Sequence, residues 1–160
     1  MNKEPRQVIS PGRGFVIYAV AMPNIKLKSI EYMEAAQELI NKRIYNASVH
    51  CSYYSRLMQM KYILAHHKRP IDYNTQNEKR EKGSHEYIIT EISNRISNRS
   101  QSLRIVQCFR ALKSLRIDAD YKDVLLKADD STFAKQMSEG LKQKLNAQFG
   151  NIYEDNKETH

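Results

Sequence analysis

The stretch LRIDADY, Leu115 to Tyr121, lies where an apolar helical pattern gives way to polar residues. The pattern before it predicts a helix that starts at Asn98 or Ser100, because a helix buries side chains three or four residues apart. Its apolar stripe is Leu103, Val106, Phe109 (or Arg110), Leu112 and Leu115. Four side chains of the stretch ionise or hydrogen-bond strongly: Arg116, Asp118, Asp120 and Tyr121. The polar end of this helix is therefore a candidate site.

The same spacing predicts four further helices along the chain. Each begins near a polar residue that can cap its N-terminus: Ser29, Asn46, Ser84, and Asp130 or Ser131. Their apolar stripes are Ile30, Met33, Ala36 (or Gln37) and Ile40; Val49, Tyr53, Leu57, Met60 and Leu64; Ile88, Ile89, Ile92 and Ile96; and Phe133, Met137, Leu141 and Leu145. Pro70 ends the second helix, and residues 70–83 and 118–130 are predicted connections. We therefore predict an all-α antiparallel bundle of four to five helices, with the helices beginning near Asn46 and Asn98 at its centre.

A chain of 160 residues is expected to form one domain. We expect the helical bundle to span residues 29–150, after an N-terminal arm of uncertain status at 1–28 and before a flexible tail at 151–160. Residues 1–21 differ in composition from the rest, which indicates either a loosely attached arm or strand or a translation start at Met22. We predict no membrane span, because no apolar run approaches 18 residues. We predict no signal peptide, because the eight-residue apolar run from Phe15 to Met22 follows Pro11-Gly12-Arg13-Gly14 and Glu4 lies in what would be the positively charged region. Two cysteines make no disulfide framework, so a cytoplasmic location is expected.

The net charge of +8 is unevenly distributed. Residues 42–69 contain six Lys or Arg and no acid, and residues 92–117 again contain six and no acid. Residues 118–160 contain nine acids and six bases. Two acid-free segments that meet on one face would attract phosphate backbones. The alternative is that both are ordinary solvated helix faces.

The sequence motifs of several enzyme classes are missing. There is no phosphate-binding glycine loop, no His-Glu-x-x-His, no Cys-x-x-Cys and no Gly-x-Ser-x-Gly. The adjacent pairs His66-His67 and His50-Cys51 would point about 100° apart on a helix, so neither pair can chelate one metal ion. We therefore predict neither a metal site nor a cofactor.

A tyrosine pair, Tyr53-Tyr54, lies in the middle of the second predicted helix. Tyr53 falls on the apolar stripe, and a buried tyrosine hydroxyl needs a hydrogen-bond partner. The polar stretch Leu115 to Tyr121 can supply that partner. The contact is either a structural hydrogen-bond lock or part of a binding site.

These motifs resemble those of HEPN domains, the helical bundles named for higher eukaryotes and prokaryotes nucleotide-binding. The resemblance extends from about Ile30 to Phe149 and consists of a Tyr-Tyr pair, a Ser-His at the start of the next helix, and a Leu-Arg-x-x-Ala-Asp-Tyr motif. The matching residues are Tyr53, Tyr54, Ser84, His85, Leu115, Arg116, Ala119, Asp120 and Tyr121.

The resemblance implies a prokaryotic protein of a toxin–antitoxin, phage-defence or RNA-processing system. Many HEPN domains form homodimers and cut RNA without metal, using an Arg followed after four to six residues by a His. Arg80 with His85 and Arg43 with His50 fit that spacing. His85 would act as general acid or base, Arg80 or Arg116 would hold the phosphate, and a helix N-terminus would lower the pKa of His85.

This chain departs from the nuclease pattern at three positions. Glu81 and Ile44 follow the two arginines, where the motif usually has a polar residue such as Asn, and Cys51 stands where relatives often have Arg. Two functions therefore stay open. The first is an RNA-binding or nucleotide-binding protein, with or without metal-independent ribonuclease activity. The second is a non-catalytic helical module that partners a nucleotidyltransferase or an antitoxin. A purely structural helical protein is a third, weaker alternative.

Overall fold

The structure, a computed structural model, describes residues 23–153 of the chain. This part of the chain contains six helices. They are α1 (Asn24–Asn41), α2 (Tyr45–His66), α3 (Tyr73–Asn77), α4 (Ser84–Ser93), α5 (Arg99–Tyr121) and α6 (Ala128–Tyr153). No strand occurs within these residues. The prediction of an all-α fold is confirmed.

Helix α2 is the centre of the bundle. Every residue from Ser55 to Leu64 is buried, and α2 packs against each of the other five helices. A helix that is covered on all sides must be apolar or internally hydrogen-bonded around its whole circumference. The prediction that α2 is central is therefore confirmed. The prediction that α5 shares the centre is wrong, because α1 and α6 pack along α2 more extensively than α5 does.

The buried stripe of α5 agrees with the predicted stripe at Phe109 and Leu112 and is offset by one residue at its other three positions. Leu103 is 55% exposed, and the stripe consists of Ser102, Ile105, Phe109, Leu112 and Arg116. The offset turns Arg116 towards α2, because positions 109, 112 and 116 lie on one helix face. A guanidinium therefore takes a place in the core.

Three residues predicted to cap helices do not cap them. Helix α1 starts at Asn24, five residues before Ser29, and the Ser29 hydroxyl donates instead to Ser55 O at 2.8 Å. The Ser55 hydroxyl donates back to Ser29 O at 2.6 Å. Ser84 is the first residue of α4 but makes no capping hydrogen bond.

Asn46, the third of these residues, joins α2 to the connection between α5 and α6. Its amide nitrogen donates to Ala119 O at 3.0 Å and to Val124 O at 2.9 Å. Its amide oxygen accepts from Leu126 N at 3.0 Å. Asn46 thus makes tertiary contacts instead of capping α2, which begins one residue before it.

Two other helix ends agree with the sequence in part. Asn98 caps α5, as predicted, by accepting a hydrogen bond from Gln101 N at 3.0 Å. The Asp130 carboxylate accepts from Lys127 N at 2.9 Å at the start of α6. Helix α5 continues to Tyr121, so the predicted connection at 118–130 is reduced to residues 122–127.

The element boundaries also differ from the predicted domain limits. The predicted loop 70–83 contains α3, whose N-terminus is capped by Asp72. The bundle begins at Asn24 rather than at residue 29, and α6 ends at Tyr153 rather than at residue 150. The predictions for the arm at residues 1–22 and for the tail at residues 154–160 lie outside the described residues. None of the helices between residues 23 and 153 is long and apolar enough to span a bilayer.

Candidate functional site

Seven of the nine predicted site residues lie together where α2, α4 and α5 meet. We call this group the tyrosine cluster; its members are His50, Tyr53, Tyr54, His85, Arg116, Asp120 and Tyr121. Spacings of three and four residues bring the α2 members onto one side of that helix, and the same spacing brings Arg116 and Asp120 together on α5. The cluster therefore follows from helix geometry once α2 and α5 pack against each other.

A hydrogen bond between Tyr53 and His85 joins α2 to the start of α4. The Tyr53 ring is fully buried and stacks on Phe109 with ring centroids 5.2 Å apart. The Tyr53 hydroxyl lies 2.8 Å from His85 Nδ1. Burial raises the pKa of the Tyr53 phenol, so the hydroxyl keeps its proton at neutral pH and can donate it to the imidazole.

His85 is neutral at physiological pH. Burial, and then the nearby charges of Arg116, Lys113 and Lys61, lower the pKa of His85 to about 4. The direction agrees with the expectation from the sequence, but the causes are burial and cations rather than the position at a helix start. In the tautomer that carries its proton at Nε2, neutral His85 accepts a hydrogen bond from the Tyr53 hydroxyl at Nδ1.

Arg116 lies beneath three tyrosine rings. Its guanidinium carbon is 5.0 Å from the Tyr53 ring centroid, 5.7 Å from that of Tyr54 and 5.5 Å from that of Tyr121. One terminal nitrogen donates to the Tyr121 hydroxyl at 3.2 Å and to an Asp120 oxygen at 3.4 Å. Burial lowers the pKa of Arg116, but the neighbouring Tyr54, Tyr53 and Tyr121 outweigh burial and raise it, so the charge is kept.

The outer edge of the cluster faces solvent. His50 Nδ1 lies 3.0 Å and 3.1 Å from the two Asp120 oxygens, and its ring stacks on Tyr54 at 4.4 Å. The His50 side chain is 39% exposed, and Tyr121 is 75% exposed. Tyr32 of α1, which the sequence analysis missed, packs on Tyr54 with centroids 5.8 Å apart. Tyr32 lies outside the apolar stripe predicted for α1, so periodicity alone gives no signal for it.

Arg80 does not pair with His85. Its guanidinium carbon stacks 3.6 Å from the Tyr87 ring centroid, and it donates to Thr75 O at 2.9 Å and to the Glu78 carboxylate at 3.2 Å. These contacts direct Arg80 towards the end of α3. The prediction that Arg80 and His85 act as one pair is not supported, because Arg116 is the arginine beside His85.

Arg43 and His50 do not meet either. Arg43 is exposed in the turn between α1 and α2, with a backbone φ of 60°. Its N–H donates to Ile40 O at 2.9 Å, which closes the turn. His50 of α2 instead contacts Asp120 of α5.

The predicted single basic face does not form. Lys42 and Arg43 precede α2, whereas Lys68 and Arg69 follow it, and a helix of 22 residues separates them by about 33 Å. Arg56 and Lys61 are buried between them. In the second segment, Arg110 and Lys113 both contact the Glu86 carboxylate, next in the chain to His85. The basic side chains are therefore divided among several places, and Arg110 and Lys113 are a pair of them near His85.

The described residues, 23–153, contain no group of three or more His, Cys, Asp or Glu side chains arranged to hold a metal ion. Comparison of the chain with protein-family models, with curated proteins and with solved structures gives no match.

Proposed function

We propose that this chain is a HEPN-type bundle that binds RNA or nucleotide at the tyrosine cluster. The observation that carries the proposal is the placement of a neutral His85, held by Tyr53, beside the positive charges of Arg116 and Lys113. The positive electrostatic potential of these side chains disfavours a protonated imidazole, and the same potential favours a phosphate at the same place.

The surroundings of His85 supply accessible groups for such a ligand. The Lys113 side chain is 26% exposed and that of Arg110 is 57% exposed, and the two share one carboxylate, Glu86. Glu86 therefore neutralises only one of the two positive charges, and the other is available to a phosphate. The exposed Tyr121 ring offers a face on which a base can stack.

RNA cleavage is the finer part of the proposal. To act as the general base, neutral His85 takes the tautomer whose Nδ1–H donates to the Tyr53 oxygen, which frees Nε2 to accept the proton of a ribose 2′-hydroxyl. A pKa of about 4 makes His85 a poor proton donor at neutral pH. His85 is therefore the general base and Arg116 the phosphate clamp. Arg80 is not assigned this role, because it stacks on Tyr87 and donates to Thr75 O and the Glu78 carboxylate.

Binding is tested with a fluorescein-labelled single-stranded RNA and two lysine variants of α5 and its C-cap. Lys113→Ala should weaken binding about 5-fold and reduce the salt slope by about 0.7, the amount for one lost phosphate contact. Lys122→Ala removes the same charge from a residue paired with Asp118 and should bind like the wild type. Equal RNA affinities of the two variants would show that Lys113 does not contact the RNA.

Cleavage is tested separately by incubating labelled RNA with the wild type in the presence of a chelator. The wild type and Arg104→Ala, which changes a residue of α5 in a separate concavity beside Lys144 of α6, should cut alike, and His85→Gln should not cut. A wild type that binds RNA without cutting it would restrict the proposal to binding.

The second candidate function is a non-catalytic module that docks a nucleotidyltransferase or an antitoxin. It is favoured by exposed apolar side chains near the cluster, where the turn before α2 meets the connection from α5 to α6. Leu125 is 90% exposed, Ile44 is 48% exposed and Val124 is 46% exposed. Strong salt-dependent RNA binding by the isolated chain would count against this candidate. The homodimer that the resemblance implies is tested by sedimentation of the purified chain.

A further inference from the structure

Two concavities border α4 outside the tyrosine cluster. One, of about 350 Å³, contains Arg80 and Tyr87; the other, of about 340 Å³ between α4 and α5, contains Arg99, Leu103 and Arg110. Thr90 lines both. We call the two concavities together the α4 groove.

The groove carries positive charge at several points. Arg99 and Arg110 lie eleven residues apart on α5, which corresponds to about 16 Å along the helix. No acid occurs in the chain between Ile92 and Ile117. Within the described residues, no carboxylate lies within ion-pair distance of Arg99, and Arg110 shares Glu86 with Lys113. An anionic ligand in the concavity between α4 and α5 would therefore meet uncompensated charge, whereas the concavity beside Tyr87 is lined by Glu81 and Glu86 as well as by Arg80 and Lys82.

The groove also offers surfaces for bases and hydroxyl groups. At one end, the Arg80 guanidinium stacks on Tyr87, and planar pairs of this kind are platforms for nucleobases. In the other concavity, Leu103 is 55% exposed, and the Ser93 and Ser102 hydroxyls lie 2.7 Å apart at its wall. These features match a ligand with phosphates, flat rings and sugar hydroxyls.

A second copy of this chain is a poor occupant. Two copies packed through the same groove in antiparallel fashion would bring Arg99 of one against Arg110 of the other, and like charges repel. An acidic protein segment would satisfy the arginines but would make no use of the Arg80–Tyr87 platform. Glu86, which lines the concavity beside Tyr87, is next in the chain to His85, and this closeness to the cluster also favours the ligand of the cluster.

We propose that the α4 groove binds a single RNA strand that extends from the tyrosine cluster along α5 towards Arg99. This inference rests on the proposed function, since it assigns the path of the strand whose phosphate lies at His85. Arg116 and Arg99 are seventeen residues apart on α5, so the path is about 25 Å long. RNA longer than one nucleotide should therefore bind more tightly than a mononucleotide.

The test compares Arg99→Ala with Arg104→Ala, using uridine monophosphate and an oligouridine of about eight nucleotides as probes. Arg104 is on the same helix but lines a different concavity, with Lys144 of α6. Arg104→Ala is therefore a control that removes the same charge from outside the groove. Arg99→Ala should weaken oligouridine binding about 10-fold and lower its salt slope by about 0.7. It should leave uridine monophosphate binding unchanged, and Arg104→Ala should behave like the wild type.

Equal effects of Arg99→Ala and Arg104→Ala on the oligonucleotide would overturn the inference. Displacement of the oligonucleotide by polyglutamate at equal charge would also overturn it, in favour of an acidic protein partner. If the oligonucleotide responds to Arg99→Ala while uridine monophosphate does not bind at all, the groove stands and the nucleotide site at the cluster fails. The two proposals can therefore be separated.

Discussion

At the scale of single residues, His85 and Tyr53 determine what the cluster can do. The Tyr53 hydroxyl faces Arg116, which can only donate, so its own proton is available for His85 Nδ1. That hydrogen bond stabilises the neutral imidazole, in addition to burial and the neighbouring cations. Tyr53 is thus a positioning residue for His85.

Tyr53→Phe should raise the pKa of His85 from about 4 towards its ordinary value, by on the order of one unit, because the neutral imidazole loses its donor. The pKa is measured by NMR titration of the imidazole signals. Tyr121→Phe is the control, since its hydroxyl bonds Arg116 rather than His85. An unchanged pKa in Tyr53→Phe would show that the hydrogen bond does not control His85.

The sequence predicts the residues of the cluster better than it predicts their pairing. Seven predicted residues come together because spacings of three and four residues define a helix face. Arg80 and Arg43 do not join them, because spacing along the chain does not determine which way a long guanidinium side chain turns. Arg80 finds the Tyr87 ring, and Arg43 lies in a turn with positive φ.

At the scale of helices, the same polar residues that can cap a helix also serve between helices. Asn98 caps α5 as predicted, whereas Ser29 and Asn46 hydrogen-bond to neighbouring elements. A sequence read alone cannot separate these uses, because both need a short polar side chain near a helix start. Helix α3 was missed because five residues are too few for a periodic pattern.

Asn46→Ala should lower the free energy of unfolding by about 2 to 3 kcal/mol, because three hydrogen bonds between α2 and the α5–α6 connection are lost. Urea denaturation measures the change. Asn98→Ala, which removes one capping bond, should cost about 1 kcal/mol and provides the reference. A cost for Asn46→Ala no larger than that for Asn98→Ala would contradict this assignment.

At the scale of the whole molecule, helix packing determines which charged side chains are buried and which are exposed. The sequence shows two acid-free basic segments, but it does not show that Arg56 and Lys61 are buried on a helix covered on all sides. Among the cations that stay outside, Arg110 and Lys113 of α5 lie beside α4 and share Glu86, whereas Lys42, Arg43, Lys68 and Arg69 lie at the two ends of α2. His85 precedes Glu86 in the chain, and Glu86 also lines the α4 groove.

The most direct test of the account is the pKa of His85 with and without a saturating single-stranded RNA, followed by NMR. A phosphate at the cluster would offset the charges of Arg116 and Lys113, so the pKa of His85 should rise by about one unit or more from its value of about 4. His67, whose pKa is lowered by burial and by Arg95, Arg69 and Lys68, is the internal control and should not change. A pKa of His85 that stays the same in saturating RNA would contradict the claim that the tyrosine cluster binds the phosphate.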